Sequence, residues 1–134
     1  MDRNQGAFPF YSPLESASPA EAAAAKLARL RQIVSLAYAG SREFRDRMTG
    51  AGLAPDDVAT FEDFARIPVL RKKNLIALQD GGQGLETLLP RGIAGLRRIF
   101  QSPGPIYDPE GPGPDYWGFA EAFAAAGFRP GDLV

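Results

Sequence analysis

The chain has 134 residues, 45% hydrophobic, 23% charged and 10% aromatic, with a formal net charge of −1. That is the size and make-up of a globular domain with enough apolar residues for a core, and its near-neutrality leaves no electrostatic footprint for nucleic acid or an anionic membrane surface. There is no cysteine and no histidine, which excludes disulfides, thiolate chemistry and the commonest general base and metal ligand.

From the N-terminus, the first 17 residues contain Pro9 and Pro13 and show no periodicity. They read as an extended arm, which Phe8, Phe10 and Tyr11 predict to pack on the domain. "MDRNQGAFPFYSP" has neither the basic start nor the apolar centre of a secretory signal. No later segment approaches the roughly 18 apolar residues of a membrane span. Cytoplasm is the expected compartment, with no membrane and no nucleic acid as partner.

"SPAE" opens the first helix: Ser18 as N-cap, Pro19 at the first helical position, Glu21 three residues after the cap. The helix is predicted to run to about Ala39 and to end at Gly40. Ala23, Leu27, Leu30, Val34 and Ala37, widened by Ile33 and Tyr38, form its predicted buried stripe. Ser41 caps a second, shorter helix with Phe44 and Met48 on one face, closed by Gly50 and Gly52. Thr60 caps a helical turn that stops before Pro68. "RKKNLIALQ" predicts a further short helix with Leu75, Ile76 and Leu78 apolar, and "DGGQG" breaks the chain at 80–84.

The character then changes. Residues 96–100 read as a strand. A loop follows, with five prolines and three glycines in the twelve residues 103–114. A helix is predicted over 115–126, with Gly127 at its C′ position and Pro130 beyond. "GDLV" reads as the start of another strand. The predicted fold class is therefore a mainly α N-terminal subdomain over 1–95, with its extended arm, followed by an incomplete α/β unit over 96–134. A strand start with no partner is the opening of an α/β domain. The expectation is the N-terminal piece of a larger protein, or a chain that self-associates through its unpaired last strand.

Few side chains suggest chemistry. Arg71, Lys72 and Lys73 read as a solvated face before an anion site. Tyr107, Tyr116 and Trp117 either line a pocket or pack on the neighbouring prolines. Arg97 and Arg98 lie on one strand, so at least one must meet solvent or an acid. Asp46, Asp56, Asp57, Glu62 and Asp63 are cap and surface acids without metal-site spacing. Ser102 has no histidine to activate it as a nucleophile.

"YSPLE", "KLARLRQIVSLAYAGSREFRDRMTGAGLAPDDV", "TFEDFARIPVLRKKNL" and "AAAGFRPGDLV" together resemble the start of the phenylacetate-CoA ligase family. That family is a branch of the adenylate-forming (AMP-dependent) acyl- and aryl-CoA synthetases. The resemblance covers nearly the whole chain. Its most specific parts are F-x-D-F-x-x-I-P-x-x-x-K and the terminal G-x-R-P-G-D-L-V. It implies a parent enzyme that activates a carboxylic acid with ATP and Mg²⁺ to an acyl-adenylate and transfers the acyl group to CoA. The fold expected is the helical N-terminal subdomain and first α/β unit of that enzyme, inactive alone. No catalytic or metal residue is expected in this chain, and none of these cofactors should bind it tightly.

In the family, a phosphate-holding loop of the form S-S-G-T-T-G-x-P follows the first strand. Its register falls on "SPGPIYDP", where Ser102, Gly104 and Pro109 match. The departures are chemical. Pro103 and Pro105 remove backbone N–H donors, Ile106 replaces a hydroxyl, Tyr107 replaces a glycine, and Asp108 and Glu110 bring negative charge. Each lost hydrogen bond to a charged group is worth about 1.5–3 kcal/mol, so three or four cost about 10³-fold or more in affinity. Triphosphate binding in the usual manner is not expected. The alternative to a ligase fragment is a non-catalytic interaction or scaffold module with a degenerate phosphate loop.

Overall fold

Local capping chemistry sets the helices. The computed structural model describes residues 12–80, 84–104, 106–129 and 131–132. Most of the predicted arm, with Phe8, Phe10 and Tyr11, and the last two residues of the predicted terminal strand lie outside them. Helix α1 (Pro19–Gly40) starts as expected: Ser18 Oγ accepts from the Glu21 N–H, and the Glu21 carboxylate accepts from the Ser18 N–H at 2.9 Å. Ser18 Oγ–H donates to the same carboxylate at 2.7 Å. These bonds to its charged form hold Glu21 below the ordinary glutamate value, the Ser18 hydroxyl contributing most.

Gly40 does not end α1 through a left-handed conformation; it is the last helical residue. Its lack of a side chain has another cause. A Cβ there would stand 2.1 Å from the Pro90 carbonyl oxygen and 2.6 Å from its Cα. The next residue, Ser41, is 3% exposed and caps α2 (Arg42–Gly50), accepting from the Phe44 N–H at 3.2 Å. Its hydroxyl also donates to the Thr87 carbonyl at 3.0 Å. Gly40 and Ser41 together clasp the segment around 87–90 to the helix junction.

Helix α2 ends in a Schellman motif: Gly52 at φ +68°, its N–H on the Thr49 carbonyl, and the Leu53 N–H on the Met48 carbonyl. This returns Leu53 to the side of Met48. Both join Val34, Val58 and Ile67 in the core, with Leu30, Tyr38 and Phe44 packed around it. Burying each such side chain is worth about 1.5–3 kcal/mol.

The predicted stripe on α1 is only half used. Ala23 is exposed and Ile33 is 52% exposed, while Leu30, Val34 and Tyr38 reach the core. Against the 22 residues of α1, the nine of α2 are too few to cover it: about 13 Å of helix against about 33 Å.

Thr60 caps α3 (Phe61–Ala65), accepting from the Asp63 N–H while the Asp63 carboxylate takes the Thr60 N–H and hydroxyl. Helix α4 (Lys72–Asp80) follows, with Leu75, Ile76 and Leu78 half-buried and Arg71, Lys72 and Lys73 exposed.

The C-terminal third differs most from expectation. The strand predicted at 96–100 is observed as β1 (Arg98–Ser102), and part of the predicted loop is a second strand, β2 (Ile106–Glu110). They pair antiparallel with Ser102 opposite Ile106 and Arg98 opposite Glu110, and among the described residues the sheet has these two strands.

The last helix, α5 (Ala120–Ala125), is shorter than the predicted 115–126. Residues 115–118 form a turn instead, with Gly118 at φ +70° and the Asp115 carboxylate accepting from the N–H groups of Phe119 and Ala120. Gly127 closes α5 as expected, in a second Schellman motif at φ +95°. The Phe128 N–H donates to the Phe123 carbonyl, and their rings meet edge to face at 5.5 Å.

Candidate functional site

The hairpin carries all three residues of the phosphate-loop register, but spread along it. Ser102 and Gly104 stand at the turn, Gly104 at φ +126° with open space where a Cβ would go. Pro109 lies well down β2, opposite Ile99. Ser102 Oγ–H donates to the Ile106 carbonyl at 3.3 Å, so its hydrogen is engaged within the turn.

Helix α4 fixes β2 from the side. Gln79 Nε2–H donates to the Tyr107 carbonyl at 3.0 Å, and the Tyr107 N–H donates to Gln79 Oε1 at 2.9 Å. One side-chain amide thus takes both backbone groups of a strand residue, as a neighbouring strand would. Nothing in the sequence marks Gln79 for this, since its partner lies 28 positions away.

Residues directly opposite in a ladder share a face. Arg98, Phe100, Ser102, Ile106, Asp108 and Glu110 therefore share one, and Ile99, Gln101, Tyr107 and Pro109 the other. On the first face Glu110 is buried, 7% exposed. Its Oε2 lies 3.8 Å from Arg98 Nη1 and accepts from Trp117 Nε1–H at 3.4 Å. The acid that looked like a phosphate-repelling charge is a structural partner of Arg98, and the pair meets the requirement on Arg97 and Arg98.

The Trp117 ring lies 6.4 Å from Phe100 and meets Tyr116 edge to face at 5.1 Å. Tyr116 in turn covers Gly111, where a Cβ would stand 2.8 Å from its ring. Tyr107 is on the opposite face, so Tyr107, Tyr116 and Trp117 do not line one pocket.

A cleft of about 540 Å³ lies elsewhere, beside α2 and α4. Val69, Leu70 and Leu78 line it together with Glu43 and Arg47. That ion pair is two-pronged, Nε–Oε1 at 2.9 Å and Nη2–Oε2 at 3.3 Å. Arg47 also donates to the Pro68 carbonyl and stacks 5.1 Å over the Phe44 ring. Its charge is matched by Glu43. Asp46 pairs with Arg42 at 3.6 Å. Among the described residues no group of three acidic side chains is placed to hold a metal ion, and no helix is long and apolar enough to cross a membrane.

The helical core with its small hairpin is the fold of a fragment of an adenylate-forming enzyme. Solved structures of one such enzyme, 2-hydroxyisobutyryl-CoA ligase, match it. In the postadenylation state with R3-HIB-AMP the TM-score is 0.75 at 26% identity, over 99% of this chain and 30% of that one. In the postadenylation state with 2-HIB-AMP the TM-score is 0.73 at 28% identity, over 86% and 25%. An open conformation with 2-HIB-AMP and CoA gives 0.72 at 29%, over 86% and 28%. The chain thus spans between a quarter and a third of the length of these ligases. No family model and no curated protein sequence matches it. The likeness is to an adenylate-forming CoA ligase, and the enzyme concerned is named for a 2-hydroxyisobutyryl rather than a phenylacetyl group.

Proposed function

We propose that this chain is the N-terminal region of an acyl-CoA ligase of the phenylacetate-CoA ligase branch. Residues 1–95 are its helical subdomain and 96–134 the opening of its large α/β domain. The observation that carries this is a match of 99% of the chain to 30% of a CoA ligase at a TM-score of 0.75. The order of the four quoted sequence stretches supports the branch. The core supports the division, since among the described residues every buried hydrophobic residue but Ile106 precedes position 90.

In the intact protein, ATP with Mg²⁺ would convert a carboxylic acid to its acyl-adenylate and CoA would take the acyl group. The donors at the hairpin turn do not fit a triphosphate. Pro103 has no N–H, the Ser102 hydroxyl is engaged by Ile106, and the Tyr107 N–H by Gln79. The 134-residue chain alone forms no acyl-adenylate, and Ser102, Gly104 and Pro109 mark a register without holding phosphate.

The same engaged donors favour a second reading, a non-catalytic module that has kept the fold. Titrating ATP·Mg²⁺ against the longest form of the protein separates the two. Micromolar binding supports a ligase that holds nucleotide through other residues; no binding at millimolar concentration supports the module. Acyl-adenylate or acyl-CoA formation by the purified 134-residue chain would overturn the assignment of inactivity.

A further inference from the structure

We propose that Gln79 is a latch between two bodies, the helical core and the hairpin, which swing apart about Gly92 and Gly95 when its amide lets go. Both sides of the latch lie within this chain. The inference therefore depends neither on the ligase reading nor on what continues the sheet beyond β1.

The two bodies have separate interiors. The core of Val34, Met48, Leu53, Val58 and Ile67 takes nothing from the hairpin, and Ile106, though only 6% exposed, stands outside it. The hairpin is tied instead to the residues after it: Glu110 accepts from Trp117, whose ring meets Phe100 and Tyr116. Between the bodies, the clasp at Gly40 and Ser41 holds the chain as far as Pro90. Gly92, at φ +67°, and Gly95 follow before β1 begins at Arg98. Neither is crowded. A Cβ at Gly92 would meet nothing within 4 Å, and at Gly95 the nearest atom is Arg91 Cβ at 3.8 Å.

Helix α4 spans the gap. It has no fully buried residue of its own, and among the described residues both hydrogen bonds from it to the hairpin belong to Gln79. Opposed residues in an antiparallel ladder alternate between exchanging both hydrogen bonds and directing both backbone groups outward. Tyr107 gives its N–H and C=O to Gln79, so Tyr107 and Gln101 form an outward-facing pair, and by alternation so do Ile99 and Pro109. Pro109 has no N–H, so Tyr107 holds the outward donor of β2, and the latch closes on it. A neighbouring strand would spread its bonds over several residues of backbone. Here both sit on one rotatable side chain, so a single rotamer change breaks them together, which is the low-stability kind of contact from which local opening is drawn.

Gln79→Met tests this, because it keeps an unbranched side chain of similar helix propensity and removes both bonds. The chain has no cysteine and one tryptophan, Trp117 on the hairpin body. Lys26→Cys, at an exposed position of α1, labelled with an acceptor dye, gives a single Trp117-to-dye distance in the 134-residue chain. Time-resolved energy transfer should show a narrow distribution with Gln79 and a broadened one with Met. Hydrogen exchange at the Tyr107 amide should rise about tenfold or more for the two lost bonds. The Leu53 amide, bonded to the Met48 carbonyl in the core, should exchange as before. An unchanged distance distribution in Gln79→Met assigns the hold to packing of α4 on β2 and overturns the latch. So does a Tyr107 amide that exchanges without protection in the wild type. Acceleration shared equally by Leu53 shows one cooperative body and overturns the division into two.

Discussion

Gly40→Ala isolates what the junction between α1 and α2 contributes. In an exposed helix the change would stabilise by roughly 0.5–1 kcal/mol, because alanine loses less backbone freedom on folding. Here the new Cβ would stand 2.1 Å from the Pro90 oxygen, 2.6 Å from its Cα and 2.7 Å from its carbonyl carbon. Ordinary non-bonded carbon contacts lie near 3.5–4.0 Å, so backbone must move by more than about 1 Å. Overpacking of that kind costs typically 1–3 kcal/mol. Moving the segment at 90 also strains the Ser41–Thr87 hydrogen bond, worth about 0.5–1.5 kcal/mol. The steric terms win, with a net loss of about 1–3 kcal/mol.

Thermal unfolding should show that loss as a fall in Tm of roughly 5–10 °C for a chain of this length. Gly50→Ala is the control: also helical, at the end of α2, with nothing within 4 Å of the added carbon. It should be neutral or raise Tm. A Gly40→Ala protein at least as stable as the wild type would refute the clasp, since helix propensity alone would then account for both substitutions.

Met48→Ala removes the largest fully buried side chain of the core and should destabilise by about 2–5 kcal/mol in urea unfolding. At the α3 cap, the Thr60 hydroxyl, foremost among the groups bonded to it, holds the Asp63 carboxyl below the ordinary aspartate value. Because the folded value is the lower one, this contribution is complete above the ordinary carboxylate pKa and is lost as pH falls through the folded value. Thr60→Ala should raise the Asp63 midpoint toward the ordinary value in a carboxyl-carbon NMR titration; an unmoved midpoint would contradict the assignment.

The helices were legible because their causes are local. Ser18 with Glu21, Ser41 with Phe44, and Thr60 with Asp63 each act across three residues, within the window in which sequence signals operate. What Gly40 and Ser41 hold was not legible, since both meet the segment around 87–90, whose return to that junction no periodicity reports. The core half of α1 emerged, but its free half did not, because exposure there depends on how short α2 is.

The hairpin failed in the sequence for the opposite reason: its local signals argue against it. Pro109 and the neighbouring acids have the composition of a loop, and prolines are normally barred from the interior of a sheet. Three non-local features outweigh those signals. Pro109 occupies an outward-facing position where its missing N–H costs no ladder bond; Glu110 is held by Arg98 and Trp117; and Gln79 supplies the second neighbour that β2 lacks. Pro109 therefore carries two distinct marks. In the sequence it sets the register of a phosphate loop, and in the fold it leaves β2 an outer edge poor in donors. The second follows from geometry alone, and it holds even where the turn binds no nucleotide.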